Sequence, residues 1–128
     1  MNPSRPTPPP GASPVSVETL ARAALPFVEQ LTVPEALHLQ KHHGARWVDV
    51  REPEEQEILA GPEDALSLPL STLPSSALQA VPDRDVPLIL FCVRGQRSAL
   101  GAVRLEQAGF RRVKCLRDGL MAWVLRED

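Results

Sequence analysis

The chain has 128 residues, 14 basic and 16 acidic side chains and a net charge of −2, so it has the size of one domain and offers no bulk attraction to nucleic acid or to an anionic membrane. With 43% hydrophobic and 23% charged residues it is too apolar to be disordered throughout, and two cysteines are too few for a disulfide scaffold. Any anion site must be assembled locally, and with no charged-then-apolar leader to read at the start, a cytoplasmic location is expected.

Residues 1–14, with their Pro8-Pro9-Pro10 run, cannot bury a core and are expected to be a disordered, extended leader. Residues 15–27 read as a helical extension, in which good helix formers over 16–24 start on Ser16 and stop at Pro26. The folded domain is expected over residues 28–128. It opens with an edge strand at 28–31, and Thr32-Val33-Pro34-Glu35 then reads as a capping box: the threonine oxygen accepts the Glu35 amide, while proline sits where its missing donor is harmless. That helix runs to about His43 and ends at Gly44. Arg46-Trp47-Val48-Asp49-Val50 reads as a strand with a carboxylate near its end, and residues 53–59 as a brief acidic helix. After the Gly61-Pro62 turn come a short strand at 65–68 and a helix over 71–81.

The longest apolar run, residues 86–93, is far short of the roughly 20 residues of a membrane-spanning helix. Its Pro87-Leu88-Ile89-Leu90-Phe91 segment lacks alternation, as expected of a central strand covered on both faces of a parallel sheet. Residues 98–108 place Ala99, Ala102, Leu105 and Ala108 on one helical face, with Gly109 as the stop. A strand at 113–116 and a helix at 120–125 complete an α/β domain with a mostly parallel sheet.

Open α/β sheets place their sites beyond the carboxyl ends of the strands. There the segment Cys92-Val93-Arg94-Gly95-Gln96-Arg97-Ser98 links the central strand to the best-patterned helix. Such a loop turns successive N–H groups inward as an anion nest, with Gly95 relieving a tight turn and Ser98 available as the N-cap. A thiol of ordinary pKa near ~8.5 is lowered at a helix N-terminus beside arginines, so Cys92 is expected to be a thiolate. Arg94 and Arg97 add positive potential and forked donors suited to oxyanions. Arg97 is expected to stabilise the loop and Arg94, from the rim, to recognise the donor.

Cys92-x-x-Gly95-x-Arg97-Ser98 resembles the active-site loop of single-domain rhodaneses, the thiosulfate and persulfide sulfurtransferases. Val48-Asp49-Val50-Arg51-Glu52 is similar to that family's "DVRE" strand end, and Leu116-Arg117-Asp118-Gly119 with Ala122-Trp123 to its C-terminal signature. The resemblance spans roughly residues 29–125 and implies a five-stranded parallel sheet flanked by helices. It also implies a sulfane sulfur carried as a persulfide on Cys92, with no metal or organic cofactor. The implied partners are a small anionic donor, thiosulfate or glutathione persulfide, and a thiol or cyanide acceptor, with a protein persulfide as a further candidate. The turn Gly61-Pro62-Glu63-Asp64-Ala65 departs from the family's histidine-containing "GHIPGA" and is expected to make the rim more acidic.

Cysteine phosphatases also close an amide cradle with arginine, but their loop is one residue longer than the four residues between Cys92 and Arg97. A non-catalytic sulfur carrier or interaction module on the same fold is the other alternative, since fold alone does not settle function. Cys115 is expected to be buried filler. His38 and His42, four apart on a helix, lack a third metal ligand, and Trp47 and Trp123 are expected in the core and the site wall. Asp49 and Arg51 either support the site or only fix the neighbouring turn.

Overall fold

The computed structural model describes residues 15–126; the expected leader lies outside the described residues. Ser16 caps α1 (Val17–Ala24) by accepting the Thr19 amide at 3.1 Å, and the buried face of that helix carries Ala21 and Ala24. After β1 (Glu29–Leu31), α2 (Val33–His43) starts on the capping box: Thr32 Oγ1 accepts the Glu35 amide while the Glu35 carboxylate accepts the Thr32 amide. Gly44 closes it at φ 68°, a left-handed conformation that glycine adopts without a Cβ penalty.

β2 (Arg46–Asp49), α3 (Pro53–Ile58) and β3 (Leu66–Ser67) follow, then α4 (Ser75–Ala80), β4 (Leu88–Phe91) and α5 (Gln96–Gln107). β5 (Val113–Leu116) and α6 (Gly119–Val124) complete the fold. The helix expected over 71–81 is divided: a 3-10 turn over Leu70–Thr72 precedes α4, and Pro74, which lacks a donor, stands at the break. β2 is one residue shorter than expected, and β3 covers only the middle of the expected strand.

The five strands stand in the order β1-β5-β4-β2-β3, and every pairing is parallel. Because β4 lies between β5 and β2, the chain leaving β4 turns toward one edge and the chain leaving β2 toward the other. That divergence opens a crevice above their carboxyl ends, where Cys92 and Val50-Arg51 emerge. Leu88, Ile89, Leu90 and Phe91 are all fully buried, each contributing about 1.5–3 kcal/mol through lost apolar exposure. Their alternation divides the core. Leu88 and Leu90 join Ala21, Val48, Ala102 and Leu105 on the side of α1, α4 and α5. Ile89 and Phe91 join Ala36, Trp47, Leu116 and Leu120 on the side of α2 and α6.

Candidate active site

The chain leaves β4 at Cys92, which is only 2% exposed, and bends back toward its own sulfur. The Gly95 amide donates to Cys92 Sγ at 3.1 Å, and Ser98 Oγ lies 3.8 Å from the same atom while donating to the Gly95 carbonyl at 3.1 Å. Gly95 makes this possible at φ 92° and serves as the N-cap of α5. Ser98 is therefore not the N-cap expected from the sequence. It stands inside the first turn, and its hydroxyl fastens the loop from within. The amides of Gln96, Arg97 and Ser98 are the donors that an α-helix leaves without intrahelical acceptors, so the positive end of the helix dipole is directed at the sulfur.

A cavity of about 210 Å³ opens over this loop, lined by Cys92, Val93, Arg94, Gln96 and Arg97 and, from α1, by Glu18 and Ala21. Arg94 and Gln96 are exposed, Val93 and Arg97 half-buried, and Gly95 and Ser98 buried. From below, the start of α6 holds the loop: the Leu120 amide donates to the Cys92 carbonyl at 2.7 Å and the Met121 amide to the Val93 carbonyl at 3.2 Å. Gly119 permits this approach. It has φ 59°, and a Cβ there would stand 2.3 Å from the Cys92 carbonyl oxygen.

From the side, Arg97 is tied to α3, with both terminal nitrogens donating to the two Glu55 oxygens at 2.7 Å. These bonds hold the Glu55 carboxyl down at about 2 and raise the Arg97 guanidinium above its ordinary value. α3 buries no residue of its own, and Arg51 fixes it in place. The guanidinium, 1% exposed, forms two bonds to Asp49, at 3.0 and 2.7 Å, and donates to the Glu55 and Leu59 carbonyls at 3.3 and 2.8 Å. The buried charge is thereby paired and its donors are used.

The model of the rhodanese-like domain matches residues 32–126 of the chain. The chain belongs to this family. A sulfurtransferase from Allochromatium vinosum is 40% identical over 78 residues, which cover 60% of this chain and 69% of that protein. Among solved structures, the human single-domain sulfurtransferase is 25% identical with a TM-score of 0.68, covering 79% of this chain and 99% of its own. A Rhodopseudomonas palustris protein of unknown function, described as a possible tyrosine phosphatase, has a TM-score of 0.74 at 25% identity, covering 90% of this chain and 93% of its own. Family and relatives together support sulfur transfer.

Within this rhodanese domain, Cys92 through Ser98 converge on one loop, whereas Asp49 and Arg51 lie beneath α3 and do not line the Cys92 cavity. The Gly61–Ala65 turn does not supply an acidic rim there either. Glu63 lines a separate cavity of about 260 Å³ beside Asp49 and Arg51, and Asp64 accepts the Gln40 side-chain amide at 2.8 Å. The carboxylate at the site is Glu18, on a helix that precedes the matched residues. Sequence reasoning missed Glu18 and Glu55: a short helix of alanines and charges does not say what it will cover, and Glu55 lies 42 residues from Arg97. Cys115 is fully buried on β5. Trp47 is in the core, edge-on to Phe91 and to half-buried Trp123, with its indole N–H donating to Gln40 at 3.0 Å. The His38 and His42 rings stand 4.4 Å apart, and among the described residues no three His, Cys, Asp or Glu side chains are grouped to hold a metal.

Proposed function

We propose that this rhodanese domain moves a sulfane sulfur from thiosulfate or a persulfide to a thiophilic acceptor, with Cys92 as the carrier. The observation that supports this reading is the Gly95 amide 3.1 Å from Cys92 Sγ, at the head of α5. In the first step the Cys92 thiolate attacks the outer sulfur of thiosulfate. A Cys92–S bond forms, the S–S bond of the donor breaks with its electron pair leaving on sulfite, and the carrier becomes an anionic persulfide. In the second step an acceptor thiolate or cyanide attacks the terminal sulfur, the persulfide bond breaks, and its electron pair returns to Cys92. No net oxidant or reductant is consumed. The amides of Gly95 through Ser98 stabilise negative charge on whichever sulfur bears it, and Arg94, exposed at the mouth, orients an anionic donor.

A thiosulfate or glutathione persulfide donor and a thiol or cyanide acceptor fit this chemistry, and a protein persulfide fits it equally. Two free thiols suit a reducing compartment such as the cytoplasm, and among the described residues no helix is long and apolar enough to cross a membrane. Phosphoester hydrolysis is the second reading, favoured by the description of the Rhodopseudomonas relative. Against it, both terminal nitrogens of Arg97 are engaged by Glu55, so the end of that guanidinium is held by a carboxylate and not turned to a phosphate.

Intact mass spectrometry after incubation with thiosulfate decides between them. One added sulfur is expected on the wild type and none on Cys92→Ser, which also loses thiosulfate:cyanide activity while keeping its fold. Full activity in Cys92→Ser would refute the assignment. Aryl phosphate hydrolysis without sulfur uptake would replace it with the second reading, and sulfur uptake without turnover would reduce the domain to a carrier.

A further inference from the structure

The wall of the cavity opposite the cysteine loop is built by α1, which precedes the residues matched by the family model. Its placement is set by packing. Ala21 is fully buried in the same apolar cluster as Cys92, with Ala24 on the same face one turn later. Glu18 stands one turn before Ala21, on that face, and ends at the cavity mouth. The charges around the mouth can be followed group by group. Arg97 is neutralised by Glu55, with Glu52 acting on it as well, so it presents little net charge to a donor. That leaves Arg94 and Glu18, both exposed and, among the described residues, neither in an ion pair. The mouth is thus dipolar.

We propose that Glu18 makes α1 a selectivity wall: its carboxylate disfavours dianionic donors and favours a small organic persulfide whose carrier bears an ammonium group. The inference rests on the sulfur-transfer reading above. In a donor of this kind the outer sulfur reaches Cys92 and the amide cradle, while the ammonium faces Glu18. Thiosulfate offers only negative charge, so Arg94 attracts it and Glu18 repels it. Such discrimination arises from the unfavourable contact as much as from the favourable one.

The test compares kcat/KM for thiosulfate and for cysteamine persulfide, with mercaptoethanol persulfide, whose carrier has no charge, as the reference, in wild type, Glu18→Gln and Glu18→Asp. In Glu18→Gln the ratio of thiosulfate to cysteamine persulfide is expected to rise about three- to tenfold, with the gap narrowing as salt is added. Glu18→Asp, which keeps the charge, is expected to keep the wild-type order of donors. An unchanged ratio in Glu18→Gln, or equal shifts for all three donors, overturns the inference while leaving sulfur transfer in place, provided Cys92 still gains sulfur. A wild type that takes sulfur from no donor overturns the underlying reading as well.

Discussion

Cys92 follows the last residue of β4 and Cys115 lies in the neighbouring β5, yet their surroundings differ in kind. Cys115 pairs with Leu90 in the register of β4 and β5, is fully buried, and has its thiol pushed up to about 12, chiefly by burial. It stays protonated at any physiological pH. Iodoacetamide at pH 8 is therefore expected to add one label to the native chain, at Cys92, and two after denaturation, and Cys115→Ala is expected to retain sulfur transfer. Two labels on the native protein, read by mass spectrometry, would show that the second thiol is reachable. The difference in surroundings was legible in the sequence, because one cysteine is followed by glycine and arginines and the other stands inside an apolar strand. The role of Ser98 was not. A serine three residues into a helix looks like a cap when the start of the helix is unknown, and only the positive φ of Gly95 moves that start upstream.

At the scale of elements, α3 illustrates what patterning leaves out. It was visible as an acidic helix after proline, but its partner Arg97 lies 42 residues further on, and no local period links the two. Arg51 is equally hidden: a charged residue after a strand gives no sign that it will be buried and gather the last carbonyls of a helix. By contrast, the Thr32–Glu35 capping box is a local device and appeared where the sequence placed it. The Arg97–Glu55 pair also carries a pH signature. The Glu55 carboxyl titrates at about 2 in the fold against an ordinary 4.5, so its contribution is complete above pH 4.5 and is lost as the pH falls from there toward 2. Because the pair is partly exposed, Glu55→Gln is expected to cost only about 1 kcal/mol at neutral pH. Denaturant unfolding of both proteins across this range should show the difference vanishing near pH 2. A difference that persists there would mean that Glu55 acts through packing.

For the whole molecule, the sheet separates two apolar layers that meet only through β4 and its neighbours. The all-apolar run at 87–91 announced the central strand, and the alternation of helices and strands announced parallel pairing. The position of α1 was not announced, since a short helix of alanines and charges does not say which neighbour it will cover. Leu105 and Leu120 are both fully buried and lie in opposite layers. Replacing either by alanine is expected to cost about 2–5 kcal/mol. The double variant is expected to match the sum within about 0.5 kcal/mol, as measured by urea unfolding, because the sheet keeps the two cavities apart. A marked departure from that sum would mean that the layers relax together. The amides of Leu120 and Met121 that clasp the cysteine loop come from nearly thirty residues downstream. During synthesis, then, the cysteine is made before the segment that completes its cradle, and the loop can close only once that later stretch has followed it.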